Sequence, residues 1–351
     1  MPYLRLAAKI SKSYEVMLRI LDASLAVKLA GCKRRAPRTA RPLRVRCYTF
    51  RVRRLIVNAD DFGLTAGVNR AIVESHNHGT VSSTTLMANG GSFDDAVQEA
   101  RSAPRLSVGC HVVLVDGAPI SPPETVDTLL AIRSSQPDKF YSHLSAFSAR
   151  AMFGGFDRDQ LVAEVTAQIK KIQGAGIHVT HVDSHKHAHI FPEILVALLR
   201  AARICGVRVI RNPFVPIKAM NAKLFKGKSG IWKRYGQVRM LNTFSRQFRH
   251  RTKRAGLLTP DGLIGMIETG SLESGGYSEL LRQTIAGLPD GTWEYVCHPG
   301  YNDADLQAAG TRLLESREEE RHLLASPEMR QFLEEQKISV ISYREFAEQS
   351  Q

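Results

Sequence analysis

The sequence lacks the cysteine patterns of disulfide-rich proteins and zinc fingers. Its 351 residues include five cysteines, an odd number, and these lie far apart with no CxxC pair. Disulfide frameworks and cysteine zinc sites need paired, regularly spaced cysteines. We therefore expect a reducing compartment, and thus a cytoplasmic protein that is at most peripheral to the inner face of the membrane.

A long apolar run is also missing. The most apolar early stretch, residues 16–32, is interrupted by Arg19, Asp22 and Lys28. It is shorter than the ~20 residues that a transmembrane helix needs, and it lacks the uninterrupted apolar centre of a signal peptide. We expect no membrane-spanning helix.

Three motifs of common enzyme classes are absent as well. The chain has no GxSxG elbow, no complete phosphate loop ending in GKS or GKT, and no GxGxxG stretch. These motifs mark serine hydrolases, phosphate-loop proteins and dinucleotide-binding proteins. The sequence therefore favours other chemistry.

Negative charge is scarce only at the N-terminus. The net charge is +14, but the first 54 residues hold 15 Lys or Arg and two acids, which leaves 33 basic and 32 acidic residues in the remainder. The basic character thus belongs to an extension, residues 1–53, and no nucleic-acid partner is expected. Such an extension is either a solvated tail or an amphipathic contact with an anionic membrane surface.

From Arg54 onward, short apolar segments alternate with helix-like segments. Apolar runs are typical of parallel strands buried on both faces, and repeated strand–helix alternation is typical of a barrel or a doubly wound sheet. The predicted strands are 54–59, 81–88, 106–115, 177–182, 207–211, 263–268, 293–297 and 339–341. The predicted helices are 67–78, 92–102, 157–175, 192–205, 277–288 and 312–336.

Two segments depart from this alternation. Residues 116–156 are rich in Pro and Ser and predict a long loop with a short helix. Residues 218–254 hold twelve Lys or Arg and no acid, which indicates an insertion with a solvated face, or a mobile basic surface for an anionic partner. We predict one catalytic domain over residues 54–348 that contains this insertion.

Acidic and imidazole side chains follow the predicted strands. Asp60 and Asp61 come directly after the first strand, where carboxylates are costly unless each has a partner. One can bind a metal ion while the other accepts a proton; the alternative is that Asp61 or Thr65 caps the next helix. His111 lies inside an apolar strand, where it is either a metal ligand or a hydrogen-bonded core histidine.

The densest cluster, residues 180–189, holds four His and one Asp. Alternation would place His185, His187 and His189 on one face if the segment were extended. Imidazoles are common ligands of transition metals, and an Asp such as Asp183 can orient an imidazole ring. The cluster therefore predicts a metal site.

A third group ends the strand at 293–297. His298 precedes Pro299 and Gly300, a turn that presents the imidazole as a general acid. Arg211, at the end of another strand, can hold His298 or an Asp by a charge-assisted hydrogen bond. Because the carboxyl ends of parallel strands form the active-site face, we expect these groups to meet there. A metal ion, a basic Asp and an acidic His suit amide hydrolysis; a phosphoesterase and an anionic-surface binding module remain alternatives.

Five segments resemble the YdjC-type carbohydrate deacetylases, which include chitooligosaccharide deacetylases and the hopanoid-biosynthesis-associated deacetylase. They are LIVNADDFGLTAGVNRAI, GCHVVL, HVDSHKHAHIFPEI, CHPGY and ISYREF, in the same order over residues 54–346. The resemblance implies a distorted (β/α) TIM-like barrel and hydrolysis of an N-acetyl group on an N-acetylglucosamine-containing carbohydrate or glycolipid.

The resemblance also implies roles for individual residues. Asp61, His111 and His185 would bind a divalent metal ion, usually Mg²⁺, although ligand chemistry by itself favours Zn²⁺. Asp60 would be the general base and His298 the general acid. The residues expected to support the ligands or to contact the substrate are Asp183, His187, His189 and Arg211. A homo-oligomer, most simply a dimer, is also expected.

Overall fold

The computed structural model describes residues 52–131, 137–216, 236, 239–265 and 277–350. Residues 51–351 form one compact unit. Except for residues 52 and 53, the predicted extension lies outside the described residues. So do most residues of the basic insertion before residue 239. The predicted domain boundaries therefore stay predictions.

Seven parallel strands form the sheet. Their order is β4-β3-β2-β1-β6-β5, and β7 pairs with the first half of β1. The strands are β1 Arg53–Phe62, β2 Ser83–Leu86, β3 Ser107–Val112, β4 Val182–Ser184, β5 Gly262–Ile264, β6 Gly291–Cys297 and β7 Ile338–Val340.

Hydrogen bonds close this sheet into a ring. Parallel bridges join Val182 to Ile210 and Val209 to Leu258. The Leu263 amide of β5 donates to the Phe214 carbonyl, which lies in the same segment as Ile210. These bonds connect the β4 edge with the β5 edge. The predicted α/β fold, a distorted (β/α) TIM-like barrel, is confirmed.

Helices follow most of the strands and cover the outside of the barrel. Among the described residues, no helix has the length and apolar character that crossing a membrane demands. The α-helices are α1 Ala66–Asn77, α2 Phe93–Ser102, α3 Leu144–Met152, α4 Arg158–Gly174, α5 Pro192–Ile204, α6 Ser245–Ala255, α7 Tyr277–Ala286, α8 Ala304–Ala308, α9 Glu315–Ala325, α10 Pro327–Glu335 and α11 Tyr343–Gln349.

The structure differs from three predicted elements and adds one helix. The strand predicted at 207–211 is reduced to isolated bridges at Val209 and Ile210. The helix predicted at 312–336 is two helices, because Ser326 caps α10 and Pro327 begins it, which ends α9. The strand predicted at 177–182 begins later, at Val182. Helix α6 was not predicted; it buries Phe248 and leaves most of its cations in solvent.

Strand β1 separates two apolar layers. Leu55 and Val57 face the helices in the main core, whereas Ile56 belongs to a second, smaller cluster. Because that cluster contains side chains from the C-terminal segment, α11 closes the N-terminal end of the barrel. The other buried members of the small cluster are Val209, Ile341, Tyr343 and Phe346.

Substitution of Gly109 tests how tightly side chains pack inside the barrel. A Cβ atom at this position would lie 2.5 Å from the ring of His181, which is itself stacked on Tyr343 with ring centroids 3.6 Å apart. Overpacking of this kind costs about 1–3 kcal/mol, so we expect G109A to lower the free energy of unfolding by that amount in thermal denaturation.

The matched control is Gly174, the last residue of α4, which has no heavy atom within 4 Å of its Cβ position. Because Ala favours helix over Gly by up to about 1 kcal/mol, G174A should unfold at the same temperature as the wild type or slightly higher. A G109A protein as stable as G174A would contradict the packing.

Candidate metal centre and active site

Alternate side chains of the strands point into the barrel. In β1 these are Ile56, Asn58 and Asp60, while the apolar residues between them face the helices. The same alternation brings polar groups inside from other strands, so the C-terminal half of the interior is polar. These groups are Thr85 of β2, His111 of β3, Asp183 of β4 and Glu294 of β6.

The three predicted ligands converge at the C-terminal end of the strands. Asp61 Oδ1 lies 3.5 Å from His111 Nε2 and 3.3 Å from His185 Nδ1, and the two imidazole nitrogens are 3.3 Å apart. The three residues come from β1, β3 and the turn after β4. We call this group the ligand triad.

The triad fits a divalent cation. A point equidistant from its three atoms lies about 1.9 Å from each, close to the roughly 2.0–2.1 Å bonds of Zn²⁺ to nitrogen and Mg²⁺ to oxygen. The site also attracts positive charge. Burial lowers the pKa of His111, but the carboxylates of Asp183, Asp60 and Asp61 outweigh burial and raise that pKa to about 9.

Asp61 offers one oxygen because the other is already held. Arg317 Nη2 lies 2.5 Å from Asp61 Oδ2, whereas the buried Oδ1 has no hydrogen-bond partner among the described residues. Burial raises the pKa of Asp61, but Arg317 and His185 hold it well below its usual range. Helix capping belongs to Thr65, whose side chain accepts from the Val68 amide, and not to Asp61.

Asp183 orients His111. Asp183 Oδ1 lies 2.8 Å from His111 Nδ1; since a carboxylate only accepts, Nδ1 carries the hydrogen. Nε2 therefore faces Asp61 and His185. This is the arrangement in which carboxylates orient metal-binding imidazoles in proteins.

Arg211 pairs with three buried carboxylates. Its guanidinium nitrogens lie 2.6 and 2.8 Å from the two oxygens of Asp60 and 2.7 Å from Glu294, and it also pairs with Asp183. Burial raises the pKa of Asp60, but Arg211 and His111 hold it far below the ordinary value. Asp60 is therefore ionised.

A second group with metal-ligand spacing, Asp60, His111 and Asp183, is less suited to a cation. Arg211 occupies both of its carboxylates. A cation there would compete with a guanidinium that is fully buried.

His298 lies in the turn after β6, as predicted. Its backbone amide donates to Glu320, and its Nδ1 is buried without a partner among the described residues. Burial lowers the pKa of His298 to about 4, although the carboxylates of Asp61 and Asp60 oppose that shift. The ring is therefore neutral near pH 7.

The histidine cluster is not extended. The segment after β4 is a short 3-10 helix in which Lys186 and His187 each have a φ of 52°. His185 joins the ligand triad, whereas His189 Nδ1 lies 2.6 Å from Ser184 Oγ. The face that His185, His187 and His189 would share in a strand therefore does not form, because alternation requires extended backbone.

His187 and His189 are neutral and lie outside the ligand triad. Burial and Arg211 lower the pKa of His187 to about 3, and burial and His187 bring the pKa of His189 well below its usual range. Their predicted roles beside the ligands or the substrate stay predictions.

Sequence reasoning missed two charged residues. Glu294 pairs with Arg211 and accepts from the Tyr343 hydroxyl at 2.5 Å; a carboxylate within an apolar strand could have indicated it. Arg317 lies in a helix that is dense in charges, and no local pattern distinguishes it from Arg321.

Comparisons with known proteins agree on one family. A model of the family described as YdjC-like protein matches residues 54–335. A carbohydrate deacetylase of Thermoanaerobacter pseudethanolicus is 30% identical over 289 residues, which is 82% of this chain and 97% of that protein. A chitooligosaccharide deacetylase of Salmonella heidelberg is 40% identical over 163 residues, which is 45% of this chain and 60% of that protein.

A solved structure shares the fold. The crystal structure of an Enterococcus faecalis protein, named for cellobiose-phosphate cleavage, superposes with a TM-score of 0.65 at 26% sequence identity. The match covers 84% of this chain and 99% of that protein.

Replacing Arg211 by Met leaves three buried carboxylates without their cation. Breaking buried ion pairs typically costs about 3–5 kcal/mol, so we expect R211M to lose roughly that much free energy of unfolding in urea. Arg200 is the control, since its ion pair with Asp159 is exposed, and R200M should cost no more than about 1 kcal/mol. Equal stability of the two variants would count against this account.

Proposed function

Because the chain belongs to the family of YdjC-like proteins, we propose that it is a carbohydrate deacetylase, a metal-dependent hydrolase that removes the acetyl group from an N-acetylglucosamine unit. The observation that carries this proposal is the convergence of Asp61, His111 and His185. Relatives named carbohydrate deacetylase match nearly their whole length.

The ligand triad is proposed to hold a divalent cation. Mg²⁺ is the ion expected from the family resemblance, whereas two imidazoles and one carboxylate are donors that Zn²⁺ also accepts. When bound, such an ion lowers the pKa of a water ligand and polarises a carbonyl group. All other steps are assigned to side chains of the chain itself.

Asp60 is proposed to accept the proton of the attacking water. It is ionised, and it is held rigidly by Arg211, by Asn58 Nδ2 at 2.9 Å and by the Thr85 hydroxyl at 3.2 Å. These donors lower its basicity, so the proton is held only briefly. The same donors fix the direction of the carboxylate, which favours transfer to a defined acceptor.

His298 is proposed to deliver a proton to the leaving nitrogen. Because its ring is neutral near pH 7, it must first receive that proton. The proton released by water is the one available, and Asp60 lies within electrostatic reach of His298. The net change moves one proton from water to nitrogen, which leaves a free amine, acetic acid and the starting protonation states of both residues; the acid then ionises to acetate and gives its proton to the amine or to solvent.

An exposed apolar surface at the C-terminal end of α3 supports a substrate with an apolar or membrane-linked portion. Met152, the last residue of α3, and Phe153, which follows the helix, are exposed, Phe153 to 85%. The Phe147 ring of the same helix lies 6.3 Å from Phe191, which follows the histidine cluster. We therefore keep a glycolipid beside an oligosaccharide as substrate. The exposed cations of α6 support a peripheral contact with an anionic membrane.

The H185A variant tests the ligand triad. Removing one imidazole should abolish acetate release from N,N′-diacetylchitobiose and from an N-acetylglucosaminyl lipid, measured by mass spectrometry as loss of acetyl. His178 is the control, because it is exposed and lies before β4, at the other end of the barrel. H178A should retain wild-type rates. Acetate release by metal-stripped H185A, or hydrolysis of phosphate esters alone by the wild type, would overturn the proposal.

The proton-transfer roles predict two further variants. D60N and H298Q should each lower kcat about 10²- to 10⁴-fold, the usual contribution of a general acid or base, with little change in KM. Circular dichroism checks that both variants fold. A rate within tenfold of the wild type for either variant would remove that residue from the proton path.

A further inference from the structure

Arg317 of helix α9 contacts both the metal-ligand residue Asp61 and the turn that holds His298. Its Nη2 pairs with Asp61. Its backbone carbonyl accepts from the Gly300 amide at 3.2 Å, in the turn that begins with His298. A Cβ at Gly300 would lie 3.0 Å from Arg317 Cδ. The arginine therefore packs between the β1 and β6 ends of the site.

Asp61 depends on an outside partner for its conformation. Its φ of 65° is in the left-handed region, which costs roughly 1–2 kcal/mol for a residue other than glycine. A charged hydrogen bond between two buried groups stabilises this conformation. Because Arg317 binds Oδ2, it leaves Oδ1 free to face His111 and His185.

The other terminal nitrogen of Arg317, Nη1, is unpaired within the part of the chain that the structure describes. Nη1 is buried and makes no hydrogen bond to any described residue, while Nε donates to the Leu313 carbonyl at 3.1 Å. The whole residue is 1% exposed. Leaving a buried donor unpaired costs about 1–3 kcal/mol, and more for a charged group, so a ligand oxygen beside the triad would recover this energy.

We propose that Arg317 acts through both terminal nitrogens: Nη2 positions Asp61 for the cation, and Nη1 binds an oxygen of the acyl group. The oxygen belongs either to the reacting carbonyl or to the product carboxylate. A planar guanidinium has two such nitrogens in a fixed fork, whereas a lysine ammonium is a single point of charge. This inference rests on the proposed deacetylase function.

Two variants separate the two nitrogens. R317M removes both and R317K keeps one charge near Asp61. In titration calorimetry of the metal-stripped full chain with Zn²⁺, R317M should bind about 10- to 100-fold more weakly than the wild type, the usual effect of losing a group that supports a ligand. R317K should retain most of the affinity.

Acetate binding reports on the second nitrogen. In saturation-transfer NMR with the Zn²⁺-loaded chain, both R317K and R317M should bind acetate roughly tenfold more weakly or worse, the loss expected for one hydrogen bond to a charged group. Arg321 is the control, one turn along the same helix and paired with Glu74 at 3.3 Å. R321M should match the wild type in both measurements.

Each outcome has one meaning. No Zn²⁺ binding by the wild type would refute the proposed metal centre itself. Zn²⁺ binding by R317M equal to the wild type would refute the positioning of Asp61, and wild-type acetate binding by R317K would refute the contact through Nη1. Thermal unfolding of each variant checks that a loss of binding does not come from an unfolded chain.

Discussion

A single guanidinium allows three carboxylates to lie inside this barrel. Arg211 is fully buried and pairs with Asp60, Asp183 and Glu294. Without it, mutual repulsion and desolvation would favour protonation of some of these groups. Asp60 would then lose the charge that makes it an acceptor. The proposed chemistry at the rim thus depends on a charge balance deeper in the barrel.

Two arginines hold different acidic residues of the site in place. Arg211 comes from the segment beside β4 and holds groups below the ligand triad, whereas Arg317 comes from α9 and holds Asp61 from the side. Both are almost completely buried, so their guanidinium groups interact in a low-dielectric environment where charged hydrogen bonds are strong. Each ligand of the triad that comes from a strand is therefore fixed by a charged partner: His111 by Asp183, and Asp61 by Arg317.

Residues at strand ends were predictable because parallel strands bring their carboxyl ends together. Asp60, Asp61, His111 and His298 all follow or end apolar runs, and the structure places them at one end of the barrel. The geometry of the histidine cluster was not predictable, because no local pattern marks the positive φ of Lys186 and His187. The neutral state of His298 was not predictable either, because burial lowers its pKa and burial is a property of the fold.

The sequence by itself determined the alternation of strands and helices and the strand-end residues that could bind a metal ion, because apolar periodicity and strand-end chemistry are local. The choice of a barrel over a doubly wound sheet came from the family resemblance. Only the tertiary structure decided which side chains partner one another. Arg317 lies 256 residues from Asp61, and Glu294 lies 83 residues from Arg211; neither pairing has a local signal. The physical reason is that a buried charge is tolerated only beside its counter-charge. That counter-charge can come from any part of the sequence that the fold brings close.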